Sequence, residues 1–342
     1  MQPLVSVVMS VYNAEAFLHD AICSILNQSF QDFEFIIIDD CSTDNSRSII
    51  QSFSDSRIIC IENEVNIKLP ASLNKGISIA KGNYIVRMDA DDISFPKRIE
   101  KQVAFMQSHP HVAIAFCDML YVKDQMIQPK LNTNDLSPDG IKTTLLFYNV
   151  VNHNCVIMRK ELFETFQYNP IFTVTEDLAL WIEISTVYQI HYMKENLMLY
   201  LIFDTPQSAE KLALQQKQEQ LIKQPLIAKL TEENNQTFQE LHAIISQKNK
   251  YVAANDLIHY MRYINTSNAR SRLYKSSILK EVLIRIGLVI SINHQYSILE
   301  LGSVLFTFGL LPLIRFGVKA LIFGIRDFIQ MQLDIKKGMS LL

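Results

Sequence analysis

Asp89-Ala90-Asp91 sets two carboxylates two residues apart, directly after an apolar run. At the end of a buried strand both can turn towards one cation. Hard oxygen ligands suit Mg2+ or Mn2+, and Mg2+ in particular is shared between one or two carboxylates and substrate phosphates. A cation held there would neutralise a diphosphate leaving group as the bond to it breaks. The same acids could equally cap a helix, and Asp92 with Ser94 and Pro96 would start the next one.

Two further acidic groups carry chemistry. Asp39-Asp40-Cys41-Ser42-Thr43-Asp44 follows another apolar run, and an ionised carboxylate there is a pure acceptor, suited to a nucleobase imide N–H. Ser42, Thr43 or Asp44 can meanwhile cap a helix at Ser46 while Asp40 faces the site. Glu176-Asp177 is a candidate general base, able to take the proton of an attacking hydroxyl. Acids at a helix start, with Thr175 as N-cap, also compensate the helix dipole.

These acids need elements to hold them. Leu4–Val11, Phe35–Ile38, Ile58–Ile61, Tyr84–Met88 and Val112–Cys117 read as strands, with helices over Ala16–Leu26, Ser46–Phe53, Ala71–Ala80 and Lys97–Met106 between them. Leu69, Leu73, Ile77 and Ala80 recur at helical spacing. Continuous apolar strands alternating with helices predict an α/β fold with a mainly parallel sheet. Ligands of such sheets bind beyond the carboxyl ends of the strands, where Asp39-Asp40 and Asp89-Asp91 fall. Further on, Cys155–Met158 reads as a strand, Lys160–Phe166 as helical, and Leu178, Trp181 and Ile182 as the apolar face of a helix. Residues 207–250 are rich in Gln, Lys, Glu and Leu and read as wholly helical. The domain boundary is therefore placed near 205, with a catalytic domain over 1–205 and a helical domain over 206–342.

Composition narrows the class. The chain has 342 residues, 49% of them hydrophobic, enough for a sizeable core. A net charge of −3 gives the whole molecule no reason to seek nucleic acid. From Ser267 onwards ten Lys/Arg face four Asp/Glu, so this tail carries +6 and the rest −9. Arg315, Lys319 and Arg326 share one helical face, against Val318, Leu321, Ile325 and Phe328, which fits a helix lying on an anionic membrane or packed on a second subunit. The five cysteines show no C-x-x-C spacing, which suits a reducing compartment and argues against a zinc site. The N-terminus has no basic n-region and no small-residue cleavage site, so no secretory leader is expected. Val11-Tyr12-Asn13-Ala14-Glu15 holds no glycine, which excludes a dinucleotide-binding oxidoreductase, and no P-loop is present.

In one order, these segments resemble family 2 glycosyltransferases with the GT-A fold. The likeness runs through Pro3-Leu4-Val5-Ser6-Val7-Val8-Met9-Ser10-Val11-Tyr12-Asn13, Asn27-Gln28-Ser29-Phe30, Ile38-Asp39-Asp40, Ser72-Leu73-Asn74-Lys75-Gly76 and Arg87-Met88-Asp89-Ala90-Asp91-Asp92. It continues through Asn152-His153-Asn154 and Glu176-Asp177 with Leu180-Trp181, covering roughly residues 3–200. The similar enzymes are bacterial and build capsule, O-antigen or lipooligosaccharide chains, β-1,3-N-acetylglucosaminyltransferases among them. The resemblance implies a Rossmann-like sheet flanked by helices, followed by a helical C-terminal region. It implies inverting transfer from a UDP-sugar (UDP-GlcNAc, UDP-Glc or UDP-Gal type) to an oligosaccharide or lipid-linked acceptor, with Mn2+ or Mg2+ as cofactor. Ser10, Tyr12 and Asn74 would then line the nucleotide pocket and Asp40 would bind the base. Asp89 would sit near ribose and metal, Asp91 would ligate the metal, and Asp177 would be the base, with Glu176 and Trp181 shaping the acceptor side. The expected place is the bacterial cytoplasm, peripheral at the inner face of the membrane, with a homodimer allowed.

Four positions depart from the family pattern. Cys41 stands where a glycine is frequent, and Lys68 does so again in Asn66-Ile67-Lys68-Leu69. Leu201 and Phe203 occupy positions where many relatives carry Arg and His. Lost cationic groups would weaken diphosphate binding, change the donor, or leave another residue such as Lys68 to supply the charge. The rival reading is a catalytically degenerate sugar-nucleotide-binding partner in a glycan assembly complex.

Overall fold

The computed structural model describes residues 2–123, 126–128, 136–202, 208–231, 241–243, 245, 254–280 and 282–283. Phe203 and the basic tail with Arg315, Lys319 and Arg326 lie outside the described residues.

The apolar runs become strands because each can be buried on both faces. β1 (Val5–Val11), β2 (Phe33–Asp39), β3 (Ile58–Glu62) and β4 (Tyr84–Met88) lie parallel in the order β3-β2-β1-β4. β1, β2 and β4 are buried almost end to end. α1 (Leu18–Leu26), α2 (Ser46–Ser52) and α3 (Leu69–Ile79) connect them. Leu18, Ala21, Ile22 and Ile25 of α1 are buried at the three- and four-residue spacing of an amphipathic helix. Full burial of each Leu or Ile stabilises by roughly 1.5–3 kcal/mol. Leu73, Ile77 and Ala80 are buried in the same way. At Gly76 a Cβ would stand 2.8 Å from Val8 Cγ1, so the absent side chain lets α3 lie close on β1.

Past β4 the pattern changes. β5 (Ile93–Ser94), α4 (Arg98–Ser108), β6 (Ile114–Lys123), β7 (Met126–Gln128), α5 (Pro138–Leu145), β8 (Val156–Arg159), α6 (Glu176–Ser185) and β9 (Ile190–Leu201) follow. The sheet runs β3-β2-β1-β4-β8-β6-β9-β5, with β7 paired to β6. The expected parallel pairing covers β1–β4 and the β6/β9 pair. β8, β5 and β7 pair antiparallel, so the whole sheet is mixed. Two element expectations shift. Lys160–Glu164 is a short 3-10 segment, and β6 begins two residues late, then runs on to Lys123 because β9 pairs along it.

α7 (Ala209–Thr231) and α8 (Ala254–Ser271) follow. The chain forms two compact units, one reaching Pro225 and the other beginning at Leu226. In the second, Leu257, Tyr260, Met261 and Ile264 of α8 are buried, and Asn268 exchanges two 2.9 Å hydrogen bonds with the main chain of Tyr274. Among the described residues no helix is long and apolar enough to cross a membrane.

The two glycine-like positions carry glycine-like backbones. Cys41 has φ 63° and Lys68 has φ 72° with ψ 160°. The latter combination is essentially confined to glycine, and holding another residue there costs about 1–3 kcal/mol. Asp40 holds the conformation: its Oδ2 accepts from Lys68 N at 2.9 Å and its Oδ1 from Ile67 N at 2.9 Å. Lys68→Gly relieves the strain but loosens the unfolded chain, for an expected net gain of about 1 kcal/mol. Lys68→Val, branched at Cβ, is expected to lose stability. A urea midpoint lower for Lys68→Gly than for the parent would contradict this.

Candidate active site

Register places the acids at the same end of the sheet. Val11 lies opposite Asp39, and Met9 opposite Met88, so β1 and β2 end together and β4 stops two residues short of them. Asp40 and Asp89 thus flank the end of β1, with two strand spacings of ~4.8 Å between β2 and β4. Half-exposed Ser10 and exposed Tyr12 lie between them. Asn13, with φ 52°, ties the end of β1 to the 39–44 loop, accepting from Thr43 N at 2.8 Å while its own N–H reaches Ser42 Oγ at 3.1 Å.

Asp40 is buried and accepts three hydrogen bonds, from Ile67 N, Lys68 N and Asn63 Nδ2 at 2.8 Å. A carboxylate offers about four acceptor positions, so one remains. Lys75 supplies positive charge through Asn63, whose Oδ1 accepts from Nζ at 2.7 Å. Asp44 accepts from Ser46 N at 3.0 Å, so the later acids serve the turn while Asp40 organises the loop opposite.

Beyond β4, Asp89, Asp91 and Asp92 have carboxylate oxygens that all lie within 4.8 Å of one another. Beneath them sits Arg87, 3% exposed and ion-paired to Asp89. Burial works against the guanidinium's charge, yet Asp89 outweighs it and holds the group above its usual range. The acids show the opposite stress. Burial, then the charge of Asp89, pushes Asp92 up to about 7, and the same two causes raise Asp91. Three carboxylates so close, in a site short of positive charge, form a donor set that fits a hard divalent cation.

Glu176 and Asp177 open α6. The helix N-terminus favours carboxylates by about 0.3–1 kcal/mol, but burial wins. It raises Glu176 to about 7, with help from Asp177, and Asp177 to about 6. Asp177 Oδ2 accepts from Asn149 Nδ2 at 2.6 Å, and its Oδ1 from Leu178 N at 2.7 Å. His153 Nδ1 stands 3.7 Å from Glu176, while Nε2 shares a 2.8 Å hydrogen bond with the Tyr168 hydroxyl. Burial, then Arg87, holds His153 well below its ordinary value, so the ring is neutral and is no counter-ion. Trp181, fully buried, meets the His153 ring edge-on at 5.8 Å between centroids.

Buried polar brackets from α4 and from the turn after α1 lock the frame. Arg98 donates to Arg87 O at 2.7 Å and Asn154 O at 2.8 Å, and Gln102 donates to Cys155 O at 2.7 Å. Gln28 donates to Phe95 O at 2.8 Å and accepts from Ile99 N at 3.0 Å. Asn154 in turn donates to Asp92.

Of the residues singled out in the sequence, Asp89 and Asp91 come together, as do Glu176 and Asp177, with Arg87 acting electrostatically on both groups. Asn74 is otherwise engaged. Its Nδ2 donates to Tyr168 O at 2.7 Å and its Oδ1 accepts from Tyr168 N at 3.0 Å. It borders a cavity of about 550 Å³, bounded also by Lys81, Tyr84, Arg159 and Lys160, at the end of β4 away from the acids. Leu201 ends β9, which pairs Leu199 with Ile93 and so brings that end beside the acidic turn. Asp92, Arg87, Asn149 and Tyr168 were missed as site residues. The Asp91-Asp92 repeat and a lone Arg in an apolar strand were the available signals for the first two.

The profile of Glycosyl transferase family 2 matches residues 6–166. An uncharacterised glycosyltransferase of Haemophilus influenzae is 34% identical over 58% of this chain and 65% of its own length. The match thus spans just under two thirds of that relative. An Escherichia coli protein, UDP-Glc:alpha-D-GlcNAc-diphosphoundecaprenol beta-1,3-glucosyltransferase WfgD, is 30% identical over 53% of this chain and 69% of its own. The crystal structure of S. aureus TarS 1-349 in complex with UDP-GlcNAc is 15% identical, covers 85% of this chain and 91% of that one, and superposes with a TM-score of 0.54. That likeness is one of fold, the GT-A architecture expected from the resemblance.

The raised acids make a stability prediction. Below its ordinary value of 4.5 Glu176 is protonated folded or unfolded, so it costs nothing there. Between 4.5 and about 7 only the unfolded chain readily ionises it, and the penalty grows, levelling off above. Without added metal, Glu176→Gln should therefore be more stable than the parent by roughly 1–3 kcal/mol at pH 8 and by nothing at pH 4. Equal thermal midpoints of parent and variant at pH 8 would count against it.

Proposed function

The chain belongs to glycosyl transferase family 2, and from that premise we propose that it moves a sugar from a nucleotide sugar to a hydroxyl of a growing glycan. The observation that carries the reading is the pairing of two acidic groups with different surroundings. One is the close Asp89/Asp91/Asp92 set, the other the Glu176/Asp177 pair at the start of α6.

On this reading the donor lies across the ends of β2, β1 and β4. Asp40, with one acceptor position left, takes the imide N–H of a uracil, while Ser10 and Tyr12 flank base and ribose. A relative whose name specifies UDP-Glc supports the choice of a UDP-sugar. Asp91 and Asp89, helped by Asp92, would hold Mn2+ or Mg2+, which when bound supplies charge neutralisation for the departing diphosphate. Arg87 orients Asp89 through their ion pair. Asp177 takes the proton of the acceptor hydroxyl as that oxygen attacks the anomeric carbon from the face opposite the diphosphate, and the configuration inverts. Asn149 orients Asp177, and burial lifts its basicity, so it is a better base than an exposed aspartate. The acceptor is a surface-polysaccharide or lipid-linked oligosaccharide, with the basic tail seated on the inner membrane surface. Leu201, apolar beside the acidic turn, favours as second reading a partner that binds the donor without turnover.

Thermal shift with UDP-glucose, UDP-galactose and UDP-N-acetylglucosamine, each with and without Mn2+, tests the donor site. Stabilisation that needs both components is expected in the parent and lost in Asp91→Ala. Asp177→Ala should keep the stabilisation and lose transfer by about 10²–10⁴-fold. Transfer by the parent should fall as pH drops below about 6, because the base must be ionised. Parental turnover in Asp177→Ala would refute its role as base, and donor binding with no UDP release by the parent would favour the second reading.

A further inference from the structure

We propose that α7 is a clamp that positions Asp177, with Gln218 and Lys223 as its two positioning residues. The inference rests on the assignment of Asp177 as base, and concerns how that base is held.

Gln218 is buried, and all three of its hydrogen bonds go to the segment leading into α6. Its Oε1 accepts from Val174 N at 3.2 Å and from Thr175 Oγ1 at 3.0 Å, and its Nε2 donates to Ile171 O at 3.1 Å. Thr175 is the N-cap of α6, yet its hydroxyl makes no capping bond to that helix and turns to α7 instead. The first two residues after this tethered N-cap are Glu176 and Asp177. The strand of chain that delivers the base is thus fastened from outside itself.

Lys223 fastens the other side. It is 2% exposed, and its Nζ donates to Phe147 O at 2.6 Å and to Glu219 Oε2 at 2.8 Å. Two residues after Phe147 comes Asn149, whose Nδ2 reaches Asp177 Oδ2 and whose Oδ1 accepts from Val151 N at 3.0 Å. A buried ammonium costs several kcal/mol of desolvation, and an apolar side chain of similar volume would fill the space more cheaply. The Glu219 ion pair offsets part of that cost, and the other bond goes to a carbonyl two residues before the residue that orients the base. One helix therefore grips both the peptide that carries Asp177 and the peptide that hydrogen-bonds it. All these residues precede Pro225 and belong to one compact unit.

The test compares the full chain with Gln218→Leu, Lys223→Met and Lys223→Arg. The readouts are Mn2+-dependent stabilisation by UDP-glucose and the pH profile of UDP release from it. Release by Gln218→Leu and Lys223→Met should fall about 100-fold, the scale of a misplacement near 1 Å, with donor KM within about twofold of the parent. Their acid limb should move down by roughly one unit, because a loosened α6 start admits water to Asp177. Lys223→Arg keeps a donor for Phe147 O and should retain the parental profile. If Gln218→Leu does not fold, Lys223→Met carries the same test through a separate bond. Folded variants with parental release and an unmoved acid limb overturn the clamp alone. A parental protein that UDP-glucose with Mn2+ neither stabilises nor engages in turnover overturns the functional reading, and the clamp with it.

Discussion

One buried guanidinium answers for five carboxylates. Arg87 is nearly sealed from solvent, and Asp89, Asp91, Asp92, Glu176 and Asp177 all feel its charge. Burial raises four of them, Asp91, Asp92, Glu176 and Asp177, and at the first three the neighbouring carboxylates add to it. Each raised value is stability given up above neutral pH. The surplus negative charge is what a divalent cation and a proton-accepting base both require. The fold tolerates it because the acids are shared between two elements, the β4–β5 turn and the start of α6, rather than crowded on one.

Tolerating that repulsion needs a rigid frame, which bonds to main-chain groups supply. Arg98, Gln102 and Gln28 address main-chain carbonyls and amides, not carboxylates. Burial opposes the charge of Arg98, and its bonds to two carbonyls offset that cost. They join the end of β4 to the 154–155 peptide, so the acidic turn and Asn154 keep one geometry whatever the protonation of Asp92. Asp40 works similarly at the end of β2. Its carboxylate pulls the 63–68 loop closed, and the strain at Lys68 is the visible cost of that closure.

The first half of the fold was legible because its rule is local. An apolar run long enough for one strand, a turn and an amphipathic helix recur between Leu4 and Met88, and parallel pairing follows from the crossovers. The acids at strand ends were legible for the same reason. Asp92 was read as a helix start, since nothing in a one-dimensional pattern separates a capping acid from a third ligand. Arg87 was hidden inside an apolar strand. The clamp by Gln218 and Lys223 was invisible, because its partners lie 43 to 76 residues away. Cys41 and Lys68 are a middle case. Their oddity showed as missing glycines, but only the backbone angles show that the glycine conformation was kept.

This division between local and distant has a functional side. The half at the ends of β2, β1 and β4 is assembled from consecutive strands, so its residues are fixed by the sheet itself and vary little in position once the sheet forms. The half that carries Asp177 is assembled from the 147–154 peptide, the 168–177 segment and α7, brought together only by tertiary bonds. Changes in loop length or helix packing can therefore reshape that half without disturbing β1, β2 and β4. Arg87, acting on the acids of both halves, is the group that joins them electrostatically.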